Sequence, residues 1–340
     1  MLLRRSILVA TLACAAILPA ACGHDATPAN ASTGSAVAAA PVPSSPGAAT
    51  PSAQPPALDP ADAAPPPAQT GGFDGAAAYD FTGKLVAFGP RPSGSPALQR
   101  TQDYIIGQLK SFGCAVDTDD FHASTPVGSL PMKNILAKVP GATEGIILLL
   151  THYDTKRLDN FVGADDGGSS TGLMLEMARR LCAGPKRKYS VWLAFVDGEE
   201  AVVNWDTDND NTYGSRELAA RMALAGDLKR IRAVILADMI GQKNLEIPRD
   251  DNSTKWLTDL VWSTAARLGY KDVFVSRDSA IEDDHQSFTN RGVSAVDIID
   301  LDGYAAYWHT PQDTMDKLSP RSLAIVGHVI LESVNTLQQR

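Results

Sequence analysis

The chain has 340 residues, 44% of them hydrophobic and 20% charged, and a formal net charge of −9 that lies almost wholly downstream of residue 71. So acidic a domain is a poor partner for nucleic acid or an anionic membrane surface. Four cysteines reduce to Cys114 and Cys182 once a leader is set aside, and no Cys–Cys or Cys–His spacing suggests a thiolate metal site.

The first 22 residues read as an export signal. Arg4-Arg5 precede an apolar run from Ile7 to Leu18 that is too short to span a membrane. Small residues before Cys22 and Gly23 after it resemble a bacterial lipoprotein cleavage box, which implies a lipid anchor on Cys22. Ordinary cleavage near Ala21 is the alternative. Either route exports the protein to the bacterial envelope or periplasm. Residues 23–71 are Ala, Pro, Ser and Thr with almost no large apolar side chains, a composition that cannot offset its ordering entropy and reads as a disordered tether. The globular part is then 72–340, one domain with no second linker, expected as a monomer. Export permits a disulfide between Cys114 and Cys182, but their positions in the sequence leave it open.

Pro90–Pro96 is turn-rich and leads into a helical pattern over Ala97–Phe112. Asn134–Val139 and Gly145–Leu150 read as two strands joined across the turn signal Pro140-Gly141. Apolar runs follow at Ser190–Val196, Ala233–Ala237 and Ser294–Ile299, separated by helical patterns at Thr171–Leu181, Arg216–Ala225 and Thr254–Leu268. Near-continuous apolar strands alternating with helices predict an α/β fold, with a mixed, mostly parallel central sheet and helices on both faces. In such folds ligands bind beyond the carboxyl ends of the strands.

Those ends carry one kind of chemistry. His152-Tyr153-Asp154 follows the strand ending at Thr151, Asp197-Gly198-Glu199-Glu200 follows Val196, Asp238 ends the run at Ala237, and Asp297 follows Val296. Two loops add Asp166, within Gly163–Gly168, and His309, within Tyr307–Thr310. Taken singly, each has a plain reading as a turn or surface residue. Together they would bury several carboxylates, which is costly without a cation among them, and Asp, Glu and His around one open position form a common catalytic zinc set. Asp206-Thr207-Asp208-Asn209-Asp210, with Glu217 downstream, has the spacing of a calcium loop but lacks its turn glycine; a solvated acidic loop is the plain reading.

These motifs resemble the zinc aminopeptidase superfamily and, within it, the glutaminyl cyclases. The match runs from Gly89–Ser95 through Asp197–Ala201, Trp205, Tyr213–Arg216, Ala237–Gly241, Glu282–His285 with Phe288, and Trp308–Thr310, in order. The inserted stretch Val202–Thr212 with Trp205, and Trp308 directly before His309, point to the cyclase branch. The animal enzymes of that branch carry a histidine where this chain has Asp297.

The resemblance implies one zinc ion held by Asp166, Glu200 and His309, Glu199 as the proton shuttle, and Asp238 and Asp284 as hydrogen-bonding carboxylates. It also implies Trp205 and Trp308 as pocket walls. The expected reaction is cyclisation of the N-terminal glutamine of peptides to pyroglutamate with loss of ammonia. His152 and Asp238 keep a two-zinc aminopeptidase open as the alternative. Trp192, Trp256 and Trp262 read as packing residues, and His122, His285 and His328 fall outside the metal shell, with His285 placed behind Asp284.

Overall fold

Seven-residue runs with no polar face need cover on both sides, and the two in this chain lie at the centre of the fold. Ile146–His152 (β3) and Ser190–Val196 (β4) are buried at every position. They pair in parallel in the middle of a six-stranded sheet ordered β1-β2-β4-β3-β5-β8. The structure is a computed structural model and describes residues 59–207 and 209–340. The leader, Cys22, the tether up to residue 58, and Asp208 lie outside the described residues.

In chain order, helices α1 (Gly75–Val86) and α2 (Pro96–Ser111) precede the strands β1 (Ala115–Thr125) and β2 (Gly128–Val139). After β3 come α3 (Ser170–Cys182), β4, α4 (Tyr213–Ala225), β5 (Ile231–Asp238), β6 (Ile247–Asp250) and α5 (Lys255–Arg267). The chain closes with β7 (Phe274–Ser279), α6 (Gln286–Thr289), β8 (Ala295–Ile299), α7 (Leu301–Tyr304) and α8 (Pro320–Leu337). Strands β4, β3, β5 and β8 run parallel, with β1 and β2 antiparallel at one edge. A small parallel pair, β6–β7, stands apart.

The alternation of side chains along β3 divides the core. Ile147 and Leu149 pack with α1, α2, α3, α5 and α8 on one face, while Ile146, Leu148 and Leu150 pack with α4 and Phe288 of α6 on the other. Helices on both faces of a mixed, mostly parallel sheet are the predicted architecture. Because β4 and β5 flank β3 on opposite sides, the strand order reverses at β3, and the carboxyl edge there is the place for a site.

Three expectations change. Pro140-Gly141 does not join a hairpin: β2 and β3 lie on opposite flanks of β4. A local turn signal says nothing of partners, and the fully apolar β3 gains most from a central position with two neighbours. The actual hairpin is β1–β2, turning at Pro126-Val127. Strand β1 is an exposed edge whose polar residues, including Asp117, Asp119 and Asp120, hid it from a search for apolar runs. Second, Asp297 lies inside β8, opposite Leu236, not beyond its end. Third, residues 59–71 are ordered on the domain rather than belonging to the tether. Short 3-10 turns cover Pro60–Asp62 and Pro67–Gln69, Asp62 pairs with Lys243 at 3.3 Å, and its carbonyl accepts from Ser319 Oγ at 3.1 Å. Proline presets such turns even where apolar residues are scarce.

Cys114, just before β1, and Cys182, at the end of α3, form a disulfide across 68 positions of sequence. A loop of that length stabilises a fold by about 2–4 kcal/mol. Replacing both cysteines by serine is expected to lower the urea-unfolding free energy by about that amount; a loss below about 0.5 kcal/mol would show the bridge to be thermodynamically idle.

Candidate metal centre and active-site cleft

The site is assembled by loops that the ends of β3 and β4 hold against each other. Asp154, two residues past β3, accepts the backbone N–H groups of Glu199 at 3.2 Å and Glu200 at 3.4 Å. Asp197 is a brace as well: it accepts from Ser93 Oγ at 2.7 Å, the Lys133 amide at 3.0 Å, Tyr153 Oη at 3.3 Å and Gln102 Nε2 at 3.3 Å. Gly198 takes φ +67°, and a Cβ there would lie 2.7 Å from Met132 Sδ, so this turn between the brace and the paired glutamates demands glycine.

Asp166 arrives from the other side. Its backbone N–H and that of Asp165 donate to the Asp313 carboxylate at 3.2 and 2.8 Å. Gly167, at φ +69°, lets the chain bend there, since a Cβ would meet Asp154 O at 2.6 Å and His152 Cε1 at 2.9 Å. The buried guanidinium of Arg91 fixes the approach, donating to the carbonyls of Tyr153 and Gly163, both at 2.9 Å, and to that of Val162 at 2.5 Å. His309 sits at φ +51°, a strained conformation for a non-glycine residue, with its ring stacked on Trp308 at 4.3 Å and edge-on to Phe161 at 5.7 Å.

The result is a convergence. His309 Nε2 lies 3.4 Å from Asp166 Oδ2 and 3.3 Å from Glu200 Oε1, and one donor atom from each of the three falls within 4.8 Å of the others. A second triad shares Asp166: His152 Nε2 lies 3.0 Å from Asp238 Oδ1 and 3.3 Å from Asp166 Oδ1. Around them opens a cleft of about 390 Å³ lined by Glu199, Asp238, Asp283, Trp205 and Trp308, with Ile281, Ile299, Leu301 and Met239 as further apolar wall.

Every acidic residue of this group is buried. Burial pushes Glu199 well above the usual carboxyl range, and Asp283, Glu200 and Asp284 add to it while His152 opposes. Burial and Asp166 raise Glu200 to about 6, and burial raises Asp238 against the pull of His152. Burial would raise Asp166 too, but His152 and His309 hold it well below the usual range; burial lowers His309, yet its two carboxylate neighbours lift it to about 9. The cluster is short of positive charge. A divalent cation between Asp166, Glu200 and His309 would supply it, and the Asp/Glu/His donor set suits zinc.

Of the residues expected from the sequence, Asp166, Glu199, Glu200, Trp205, Asp238, Trp308 and His309 all meet at this cleft. Asp284 does not. Asp283 lines the wall, and Asp284 lies fully buried behind it, raised by burial to about 7. The two are adjacent in a turn, where alternate side chains diverge, and sequence cannot tell which one faces in. His285 stands between Asp250 (3.2 Å) and Asp297 (3.7 Å) rather than behind Asp284. Asp210 is no calcium ligand here: it accepts the amides of Val202, Val203 and Asn204 at 2.7–3.2 Å and Tyr213 Oη at 2.7 Å, and so shapes the loop that carries Trp205. Arg91 and Asp313 were legible only as part of a turn-rich opening and as an isolated carboxylate, because the groups they hold are distant in sequence.

Comparison with known proteins agrees with this geometry. The pattern of peptidase family M28 matches residues 134–334, more than half of the chain. A glutaminyl-peptide cyclotransferase of Bothrops jararaca is 31% identical over 279 residues, covering 71% of this chain and 75% of that protein. The crystal structure of a glutaminyl cyclase from an Acidobacteriales bacterium superimposes with a TM-score of 0.75 at 44% identity, covering 79% of this chain and 96% of that one. A Zn-dependent exopeptidase of Parabacteroides distasonis superimposes with a TM-score of 0.70 at 28% identity, covering 79% and 99%. The chain belongs to peptidase family M28 and, within it, to the glutaminyl cyclases.

Proposed function

We propose that the protein cyclises the N-terminal glutamine of peptides to pyroglutamate and releases ammonia, with one zinc ion held by Asp166, Glu200 and His309. The observation that carries this reading is the cleft itself: a three-donor centre, a buried Glu199 beside it, and two indole walls. Zinc held there would supply Lewis-acid polarisation of the γ-amide carbonyl.

The polypeptide's own part is to orient and to move protons. Trp205 and Trp308 wall in the flexible glutamine side chain so that its α-amine meets its γ-carbon, and ring closure gains from that proximity. The new bond joins the α-nitrogen to the γ-amide carbon, and the carbon–nitrogen bond to the leaving group breaks. Glu199, raised toward neutrality by burial, takes a proton from the attacking amine and returns it to the departing nitrogen. Asp238 and Asp283 hold N–H groups of the amine and the leaving amide. Asp283 is also pushed well above the usual carboxyl range, by burial and by Asp238 and Asp284.

One observation favours a second reading, a two-zinc aminopeptidase. His152 and Asp238 complete a second triad that shares Asp166 with the first. The two functions differ in product and in metal count. With a Gln-peptide, the cyclase reading predicts stoichiometric ammonia, an intact peptide bond and one tightly bound zinc. Glu199→Gln is expected to keep the zinc while losing about 10²–10⁴-fold in turnover. Free amino acids with two zincs and no ammonia would establish the peptidase instead.

The wall residue is separable from its neighbour. Asp283→Asn is expected to lower kcat/KM by about 10–100-fold, and Asp284→Asn by only a few-fold. In the wild type, kcat/KM is expected to rise with pH through the elevated Glu199 pKa, with the acid limb above the ordinary 4.5 of glutamate in a pH–rate profile. Equal losses in the two asparagine variants would return Asp284 to the mechanism.

We also propose export to the bacterial envelope or periplasm, anchored by a lipid on Cys22, and a monomeric catalytic domain. The support is the leader and cleavage box read from residues 1–23. Among the described residues no helix is long and apolar enough to cross a membrane. Cys22→Ala should move the protein from the membrane to the soluble fraction; unchanged fractionation would remove the anchor.

A further inference from the structure

The metal cleft does not end at its rim. Trp205, Glu282 and Asp283 also form a wall of a second groove, of about 400 Å³. The chemistry changes across that wall. The first cleft offers indole and aliphatic surface around its cluster of carboxylates and histidine, whereas the second carries carboxamides, two guanidinium groups, Arg216 and Arg291, and the carboxylates of Asp206, Glu282 and Asp283.

Arg216 is braced for a purpose other than an internal ion pair. Its Nη2 donates to the carbonyls of Asn209 and Asn211, both at 2.7 Å, and its Nε to that of Thr212 at 3.3 Å. The guanidinium lies over the Tyr213 ring at 5.0 Å. These contacts orient the group, and Nη1 takes no part in them. Arg291 is exposed and gives Nη1 to Ser287 O at 2.7 Å. The two charges are near enough that, after burial, Arg291 contributes to lowering the pKa of Arg216. Among the described residues neither Arg216 nor Arg291 is locked in an ion pair of the kind that holds Arg221, Arg230, Arg249 and Arg277, although Asp284 and Asp210 are near enough to act on Arg216.

We propose that this groove receives the residues following the N-terminal glutamine, and that Arg216 and Arg291 select a carboxylate there. The inference rests on the cyclase reading, since it places the first residue of the substrate in the metal cleft. An extended peptide advances about 3.3 Å per residue, so its next residues cross the shared Trp205–Glu282 wall. The exposed Glu282 disfavours an acidic residue at the crossing, which puts the preference one or two residues further on. Gln286 and Asn290, also on the groove, present carboxamides suited to the substrate backbone. The carboxylate has two sources, an acidic side chain or the free end of a short peptide.

The test uses the zinc-loaded enzyme with Gln-Ala-Ala-Glu-amide, Gln-Ala-Ala-Gln-amide, Gln-Ala-Ala-Lys-amide, and Gln-Ala-Ala with free and amidated ends. Ammonia release reads turnover, and calorimetric binding to the Glu199→Gln protein reads affinity. The Glu peptide is expected to exceed the Gln peptide by about 3–10-fold in kcat/KM and in affinity at low ionic strength, less in salt. Arg291→Glu should reverse the preference toward the Lys peptide, and Arg291→Lys should retain most of the original; circular dichroism confirms the fold of each. A preference confined to the free end assigns the groove to peptide termini. Cyclisation of all peptides with equal kcat/KM overturns the proposal. Carboxylate-selective binding without any cyclisation overturns the cyclase reading and leaves the groove standing, and loss of both overturns both.

Discussion

Buried negative charge at the carboxyl edge of the sheet is the constraint around which the rest of the molecule is arranged. Asp154, Asp166, Asp197, Glu199, Glu200, Asp238 and Asp283 are all largely removed from water within a few loops of one another. An uncompensated carboxylate in such a place is strongly unfavourable, and the structure answers each in a different way. Asp154 and Asp197 accept from backbone amides and hydroxyls and serve as struts, although burial and Asp154 still raise Asp197 to about 7. Asp166 is held ionised by two histidines. Glu199 and Asp283 lack enough partners, and burial drives them toward the protonated form. Chemistry is assigned to the groups that compensation leaves incomplete.

Arg91 shows how the same constraint shapes the backbone. A fully buried guanidinium is itself unfavourable, and burial lowers it to about 10, with Asp313, Asp166, Asp154 and Glu200 pulling the other way. It remains cationic at neutral pH, and it spends its donors on three carbonyls of the loop that leads to Asp166. One residue thereby supplies charge to the acidic edge and rigidity to the loop that carries Asp166. Asp313 does the reciprocal work, accepting the amides of Asp165 and Asp166 and the hydroxyl of Tyr304 at 2.8 Å. Both lie outside the cleft wall, so their effect on catalysis is through position.

The double triad around Asp166 explains how a peptidase fold and a cyclisation reaction share one scaffold. His152 and Asp238 retain the geometry of a second metal site, and their ring–carboxylate distance of 3.0 Å is that of a hydrogen bond, while the other ring nitrogen of His152 is buried without a partner. The Val202–Thr212 stretch, tied down by Asp210, brings Trp205 to the cleft wall, and Trp308 stacks on His309. Enclosure favours a reaction that folds the substrate on itself.

The sequence by itself determined the parallel core, since apolar runs such as Ser190–Val196 have no polar face and must lie between two layers of helix. It also pointed to the side chains that meet at the cleft, Glu199, Glu200 and Asp238 because residues at strand ends are carried to one edge wherever the strands are parallel, and Asp166 and His309 on loops beside that edge. What the tertiary structure decided was everything that depends on partners distant in the chain. That includes the position of β2 and β3 on either side of β4, the edge strand β1 with its charged face, the Cys114–Cys182 bridge, and the packing of residues 59–71 on the domain. It includes the choice of Asp283 over Asp284, where a turn of one residue reverses which carboxylate meets the cleft. Local periodicity specifies which way a side chain points along a regular element; in a loop it does not, and there the direction is set by whatever the rest of the fold has placed alongside.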